Sequence, residues 1–284
     1  MDAATLRERF AQRCVLDGGF TTEMESFCPI DFTGTDFWSA AALWDHQKEN
    51  VEVHKRFLAA GADIVMTNTY KLVLAAMEHN GMTKEQGRKY GEVSVKLAIT
   101  ECKDSGAIPK SRNILIAGCI GPYACACFKN MRDGKYEDYN DYGPYRGKYA
   151  LTTDFKDMVQ YHYEQGEMMA TSGADFIVYE TIPSLPEVKA CLKALDKLPN
   201  AVACIALACQ NSTQLNHGEL FSEAIELCLA HPRVLAAGVN CSNPKYTSDL
   251  LRSAQASRKH GKPFLAYPNS GEEFDMLLGL SVRK

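Results

Sequence analysis

The chain contains no apolar run approaching the ~20 residues that cross a bilayer, which excludes a membrane-spanning helix from the expectations. It has no excess of basic charge. Lys and Arg total 31 against 35 Asp and Glu, the net charge is −4, and the isoelectric point is near 6.0. That balance argues against a nucleic-acid or anionic-membrane partner. The first residues, Met1 to Arg13, are charged and helical in pattern, so no signal peptide is expected and a cytoplasmic location is. No low-complexity segment or linker interrupts the sequence, so residues 1–284 read as a single domain. A disulfide framework is missing too. The eleven cysteines are an odd count scattered through apolar segments, which fits reduced thiols in a cytosolic enzyme.

What is present is alternation. Short β-rich runs appear at Cys14–Leu16, Asp63–Asn68, Ile114–Gly118, Phe176–Glu180, Ala201–Leu207, Val234–Asn240 and Pro263–Tyr267. Between them lie helical patterns, at Val51–Ala60, Glu85–Asp104, Asp154–Ser172, Pro186–Leu195, Phe221–Leu229 and Thr247–Lys259. A Gly-Ala-Asp-hydrophobic pattern recurs at Gly61 and Gly173, reading as a glycine helix cap, a short turn and a buried strand. Such alternation implies parallel strands with helical crossovers, either a doubly wound sheet or a (β/α)8 barrel. Asp17-Gly18-Gly19-Phe20-Thr21 lacks both the G-x-G-x-x-G spacing and the P-loop lysine, so a TIM-type (β/α)8 barrel is favoured, one strand short. The stretch Tyr123–Lys148, rich in tyrosine, glycine and charge, reads either as a loop over the active face or as a surface excursion.

In a barrel the chemistry sits at the C-terminal ends of the strands. Those ends read Asp17, Thr67-Asn68-Thr69, Gly118-Cys119, Glu180-Thr181, Cys209-Gln210, Asn240-Cys241 and Asn269-Ser270. Any one could cap a loop; seven together point to a polar pocket. Asp17 before two glycines is either a turn initiator or a carboxylate for a substrate ammonium, with the Gly18 and Gly19 backbone open to a substrate carboxylate. Glu180, at the end of a buried run, needs a partner or a pocket, and a functional role is favoured. Asn68 and Asn240 are either caps or substrate hydrogen-bonders. Cys14, Cys102, Cys191, Cys204 and Cys228 read as small core hydrophobes. Cys125-x-Cys127 is a weak metal signal. Cys209 and Cys241 differ in lying at strand ends, and Cys241 stands open between metal ligand and buried thiol.

These motifs resemble one family. Leu16-Asp17-Gly18-Gly19-Phe20-Thr21-Thr22-Glu23-Met24-Glu25 resembles the N-terminal motif of the homocysteine S-methyltransferases, and more the S-methylmethionine- or S-adenosylmethionine-using branch than the betaine-using one. Gly61–Tyr70, Gly173–Pro183, Gly238-Val239-Asn240-Cys241-Ser242 and Tyr267–Glu272 are similar to that family's second, fourth, sixth and seventh strands. The resemblance spans about residues 14 to 272 and implies a (β/α)8 barrel. It implies one zinc held by three cysteines and transfer of a methyl group from a sulfonium donor to zinc-bound homocysteine thiolate, giving methionine. It assigns Cys241 to zinc, and Asp17, Gly18 and Glu180 to the homocysteine amino-acid moiety. Asn240 lies beside the zinc, and no catalytic residue beyond the metal site is identified. Homocysteine and the sulfonium donor are the expected small-molecule partners, and nothing bears on oligomeric state.

The sequence departs from the family in two places. The family's other zinc cysteines stand in a Gly-Gly-Cys-Cys motif on the eighth strand, and the sequence stops at Leu278–Lys284 without it. The family's Ser-Phe-Ser-Cys run is here Ala206-Leu207-Ala208-Cys209. The expectation is therefore a homocysteine-binding barrel domain incomplete at its C-terminus. It is read first as a truncated form of an active enzyme. The second account is a degenerate, non-catalytic relative that binds an amino acid, and the third a metal site completed by Cys209 or Cys119.

Overall fold

A computed structural model describes residues 1–30, 32, 35–98, 112–127, 153–271, 273–275 and 280–282. Six strands form one sheet in chain order: β1 (Ile64–Met66), β2 (Leu115–Ile120), β3 (Phe176–Ile182), β4 (Ala203–Leu207), β5 (Val234–Asn240) and β6 (Phe264–Tyr267). Every neighbouring pair is parallel. Parallel neighbours need crossovers. The helices Lys84–Lys96, Phe155–Thr171, Leu185–Asp196, Phe221–Ala230 and Pro244–Ser253 lie between successive strands, and Gln47–Ala60 leads into β1.

Local chemistry sets these elements. Thr83 and Gln86 form a reciprocal capping box at the start of Lys84–Lys96. Asp154 caps the N-terminus of Phe155–Thr171, and Ser184 with Pro186 starts Leu185–Asp196. Gly61 ends its helix at φ 110°, a conformation that only glycine adopts without strain. The repeated Gly-Ala-Asp pattern has a second role that its sequence does not announce. Asp63 Oδ2 accepts the Val15 N–H at 2.9 Å, and Asp175 Oδ2 accepts the Ile116 N–H at 2.9 Å. Each aspartate ties the start of its own strand to the segment before it.

The sheet separates two apolar layers. Ile116, Ile177, Tyr179, Ile205 and Val239 face the helices in the larger cluster. Leu115, Ala117, Phe176, Val178, Cys204 and Ala236 face inward and pack with Leu6 and Phe10 of the helix Ala3–Phe10. Strands β2 to β5 are buried almost throughout, as expected for a parallel sheet covered on both faces.

The expected first strand, Cys14–Leu16, is reduced to a single parallel bridge between Leu16 and Ile64. It adds one more parallel segment beside β1, so the half-barrel runs residues 14–17, then β1 to β6. Among the described residues no strand joins β6 back to residues 14–17. A cavity of about 490 Å³ lies between them, walled by Cys14–Asp17 on one side and Pro263–Tyr267 on the other, with Phe176, Val178 and Ala236 at its base. Among the described residues the sheet is six parallel strands with one bridge beside β1, a half-barrel in line with the expected (β/α)8 class. A two-stranded antiparallel hairpin, β7 (Glu273–Asp275) and β8 (Leu280–Val282), was not legible in the sequence. The helix expected over Thr247–Lys259 is instead Pro244–Ser253 followed by a 3-10 turn, Gln255–His260. Cys102 and residues 128–148 of the expected long loop lie outside the described residues; residues 123–126 form a 3-10 turn.

Candidate functional site

A second cavity, of about 390 Å³, opens at the C-terminal ends of the strands. Asp17, Gly18, Asn68, Cys119, Glu180, Thr181, Cys241 and Asn269 all line it. Of the strand ends expected to converge, only that of β4 is absent from its wall. Cys209 there is buried, and its N–H donates to Ser242 Oγ at 2.8 Å.

Backbone strain marks the same place. Among the described residues three that are not glycine have positive φ: Trp38 at 47°, Thr181 at 61° and Cys241 at 43°. All three line this cavity. Such conformations are unfavourable for residues with a Cβ, and they persist where surrounding structure over-determines them. Two asparagines supply that restraint. Asn240 Oδ1 accepts the Thr181 N–H at 3.2 Å and its Nδ2 donates to Thr181 Oγ1 at 2.8 Å. Asn68 Nδ2 donates to the Ser39 carbonyl at 2.6 Å and its Oδ1 accepts from Ser39 Oγ at 2.9 Å. Asn68 thus pins the residue beside Trp38 as Asn240 pins Thr181. Asn240 is fully buried, and both arms of its amide are engaged. It is a positioning group in this structure. The β3–β4 register shifts between Tyr179 and Ile182, and this bulge re-aims Glu180 and Thr181.

Two carboxylates face the cavity. Asp17 Oδ2 accepts the Met66 N–H at 2.7 Å, while its Oδ1 is buried without a partner. Burial holds the Asp17 carboxyl well above its ordinary range, and the Glu180 charge adds to the rise. Burial likewise raises Glu180, whose Oε2 accepts from Cys119 Sγ at 2.8 Å. Two such carboxyls around one space favour a cation between them. Gly18 is glycine for a steric reason: a Cβ there would meet the Phe57 ring at 2.8 Å. Phe20, Trp38 and Tyr70 add three aromatic side chains to the wall. Trp38 is 37% exposed despite its size. Sequence reasoning passed over these aromatics, and an aromatic at a positive φ leaves no local signature.

Cys241 lies just past the end of β5 and lines the cavity. Cys241 is exposed at the cavity's mouth; desolvation by the surrounding cavity atoms, then the Glu180 charge beside it, raises its thiol above the ordinary cysteine range. Among the described residues no three His, Cys, Asp or Glu side chains are grouped to hold a metal ion. Cys119 is engaged with Glu180, Cys209 lies off the cavity, and burial pushes Cys125 up to about 12 and Cys127 up to about 11. The described donors therefore do not fit a three-cysteine zinc centre; they provide Cys241 alone.

Comparison with known proteins adds an independent line. The sequence model described as homocysteine S-methyltransferase matches residues 14–279. The homocysteine S-methyltransferase YbgG of Bacillus subtilis is 28% identical over 266 residues, covering 92% of this chain and 78% of the relative. The betaine–homocysteine S-methyltransferase of Drosophila melanogaster is 29% identical over 277 residues, with 92% and 80% covered. Among solved structures, the homocysteine methyltransferase MmuM from Escherichia coli superposes with a TM-score of 0.76 in its oxidised form. The identity is 28%, covering 91% of this chain and 83% of that one. Its metallated form gives 0.75 at 26% identity, with 98% and 90% covered.

Proposed function

The chain belongs to the homocysteine S-methyltransferase family, and from that premise we propose that its strand-end cavity binds homocysteine and a sulfonium methyl donor, S-methylmethionine or S-adenosylmethionine, and yields methionine. One observation carries the reading. Asp17 and Glu180, both raised by burial, border the same cavity as the Cys241 thiol. An amino acid with a sulfur end matches that pattern. Its ammonium sits between the carboxylates, its carboxylate lies along Gly18 and Gly19, and its sulfur reaches toward Cys241.

The donor carries a fixed positive charge on sulfur. A cation of this kind is attracted to aromatic faces, by roughly 0.5–2 kcal/mol per ring. Phe20, Trp38 and Tyr70 supply such faces on the cavity wall. In the transfer, the homocysteine thiol releases its proton to solvent and its sulfur attacks the methyl carbon in line. A new S–C bond forms, the donor S–C bond breaks, and its electron pair leaves with the neutral thioether. The cavity holds sulfur and methyl at near-attack distance. The family's zinc is carried over to Cys241 only, so no step is drawn through a metal. Relatives of near-equal identity are named for betaine and for other methyl-group chemistry, so the sulfonium donor rests on the N-terminal motif and the aromatic wall. Residues 1–284 are proposed to act as one homocysteine-binding domain in the cytoplasm.

The single cysteine at the metal position favours a second reading, an amino-acid-binding relative without catalysis. Purified protein given homocysteine, zinc and either S-methylmethionine or S-adenosylmethionine is expected to form methionine, followed by chromatography. Homocysteine binding without methionine would replace the first reading with the second.

A further inference from the structure

The inward face of the sheet runs Leu115, Ala117, Cys119 along β2 and Phe176, Val178, Glu180 along β3. Side chains two apart in a strand share a face, and Cys119 pairs with Val178 in the register. The first two residues of each series pack in the inner core; the third of each turns polar where the cavity begins. The Cys119 backbone is held on both sides. Its N–H donates to Thr67 Oγ1 at 3.0 Å, and its carbonyl accepts from Thr69 Oγ1 at 2.7 Å. Thr67 and Thr69 are buried and bonded to each other at 2.7 Å. The backbone that carries the thiol is therefore fixed before any ligand arrives, and its Sγ stands 2.8 Å from Glu180 Oε2.

We infer that Cys119 is a positioning residue for amino-acid recognition: its S–H holds one oxygen of Glu180 so that the carboxylate meets the ligand ammonium in a fixed pose. This rests on the reading that Glu180 binds that ammonium. Glu180 lies at the β3 bulge, where the ladder shifts register and its orientation is left to side-chain contacts, from Cys119 first and from Tyr267 and Asn240. A thiol suits the task. It donates one weak hydrogen bond, and burial together with the neighbouring Glu180 keeps it protonated. Cys119 thus aims the carboxylate without cancelling its charge.

The test uses the full chain and two ligands, L-homocysteine and its analogue without the amino group, 4-mercaptobutanoate, titrated calorimetrically. Cys119→Ala is expected to weaken homocysteine binding about tenfold, the size of one lost hydrogen bond to a charged group, and to leave the analogue unchanged. Cys119→Ser, which keeps a donor, is expected to restore homocysteine binding to within about twofold. Equal losses for both ligands, or no rescue by serine, would show a packing role and overturn the inference. A second readout needs no ligand. The infrared S–H band removed by Cys119→Ser is expected to move to higher frequency in Glu180→Gln, and a band that stays put overturns the pairing. If wild-type protein binds neither ligand, the homocysteine reading falls by itself, while the infrared band still decides the contact.

Discussion

The wall of the half-barrel and its two edges are built differently. Strands β2 to β5 are flanked on both sides and buried along nearly their whole length. Among the described residues, residues 14–17 and β6 each pair on one side only. There the side chains are half-exposed, and Val15 reaches 51% exposure. The groups whose orientation matters most, Cys119, Glu180, Thr181 and Asn240, stand on the wall, while Asp17 stands on an edge. A rigid wall can hold a bulge and strained residues because neighbouring strands absorb the distortion. An edge holds its carboxylate through the bridge to β1 and the Met66 N–H.

The junction of wall and edge is where the contrast breaks first. Gly238 of β5 pairs with Leu265 of β6, and a Cβ at Gly238 would overlap the Leu265 carbonyl, carbon and nitrogen. These are backbone atoms and cannot swing aside. Gly238→Ala is expected to destabilise by about 3 kcal/mol or more, in the overpacking range, and to free β6 from the sheet. Urea unfolding with hydrogen exchange on Phe264–Tyr267 checks both; wild-type stability would show that the β5–β6 pairing is dispensable.

Next in size is the loss of a carboxylate. Glu180→Gln or Asp17→Asn is expected to weaken homocysteine binding by about 2–3 kcal/mol, since the ammonium loses a charged partner. The same changes have the opposite effect on the free protein. Burial raises both carboxyls, so the native state keeps protons that the unfolded chain releases. That contribution to stability is complete below the ordinary carboxylate range and is lost as pH rises through the raised values. Glu180→Gln is therefore expected to melt no lower than wild type at neutral pH, and its advantage should shrink on acidification. A variant that melts lower at neutral pH, or an advantage that grows with acid, contradicts the assignment.

The clamps on the wall come third. Asn240→Ala removes both bonds to Thr181 and leaves its N–H without that partner in a buried place, so a loss of about 2 kcal/mol is expected. Asn240→Asp keeps the acceptor but not the amide donor, so it is expected to fall between the two. Thermal unfolding ranks the three proteins; an alanine variant as stable as wild type would show that Thr181 holds its φ of 61° unaided.

The repeated β and helix patterns were enough to place the sheet, its parallel order and the face that carries the candidate cavity. Asp17, Glu180 and Cys241 converge as their strand-end positions required. Other features depend on distance in space and had no sequence pattern. Asn68 and Asn240 read equally well as caps or ligand groups, because their partners lie 29 and 59 residues away. Cys119 looked like one more strand-end thiol, since its Glu180 contact crosses 61 residues. Trp38 gave no sign, because positive φ is expected of glycine or asparagine, not tryptophan. The two aspartates of the Gly-Ala-Asp repeat were visible as a pattern, but their shared bond to the preceding segment was not.

The smallest effect belongs to the edge, and it sharpens the contrast most cheaply. Val15 has neighbours on one side only, and its side chain is half in solvent. Its N–H and carbonyl do the structural work, donating to Asp63 and accepting from Asp63 and Ile64. Those bonds are made by backbone and do not depend on the side chain. Val15→Lys is expected to change stability by less than about 0.5 kcal/mol, the usual size for an exposed site. A lysine on a bare edge should also discourage edge-to-edge association. Parallel urea titrations and light scattering of the wild type and the variant test both points. A large destabilisation would mean that the Val15 side chain is buried in solution.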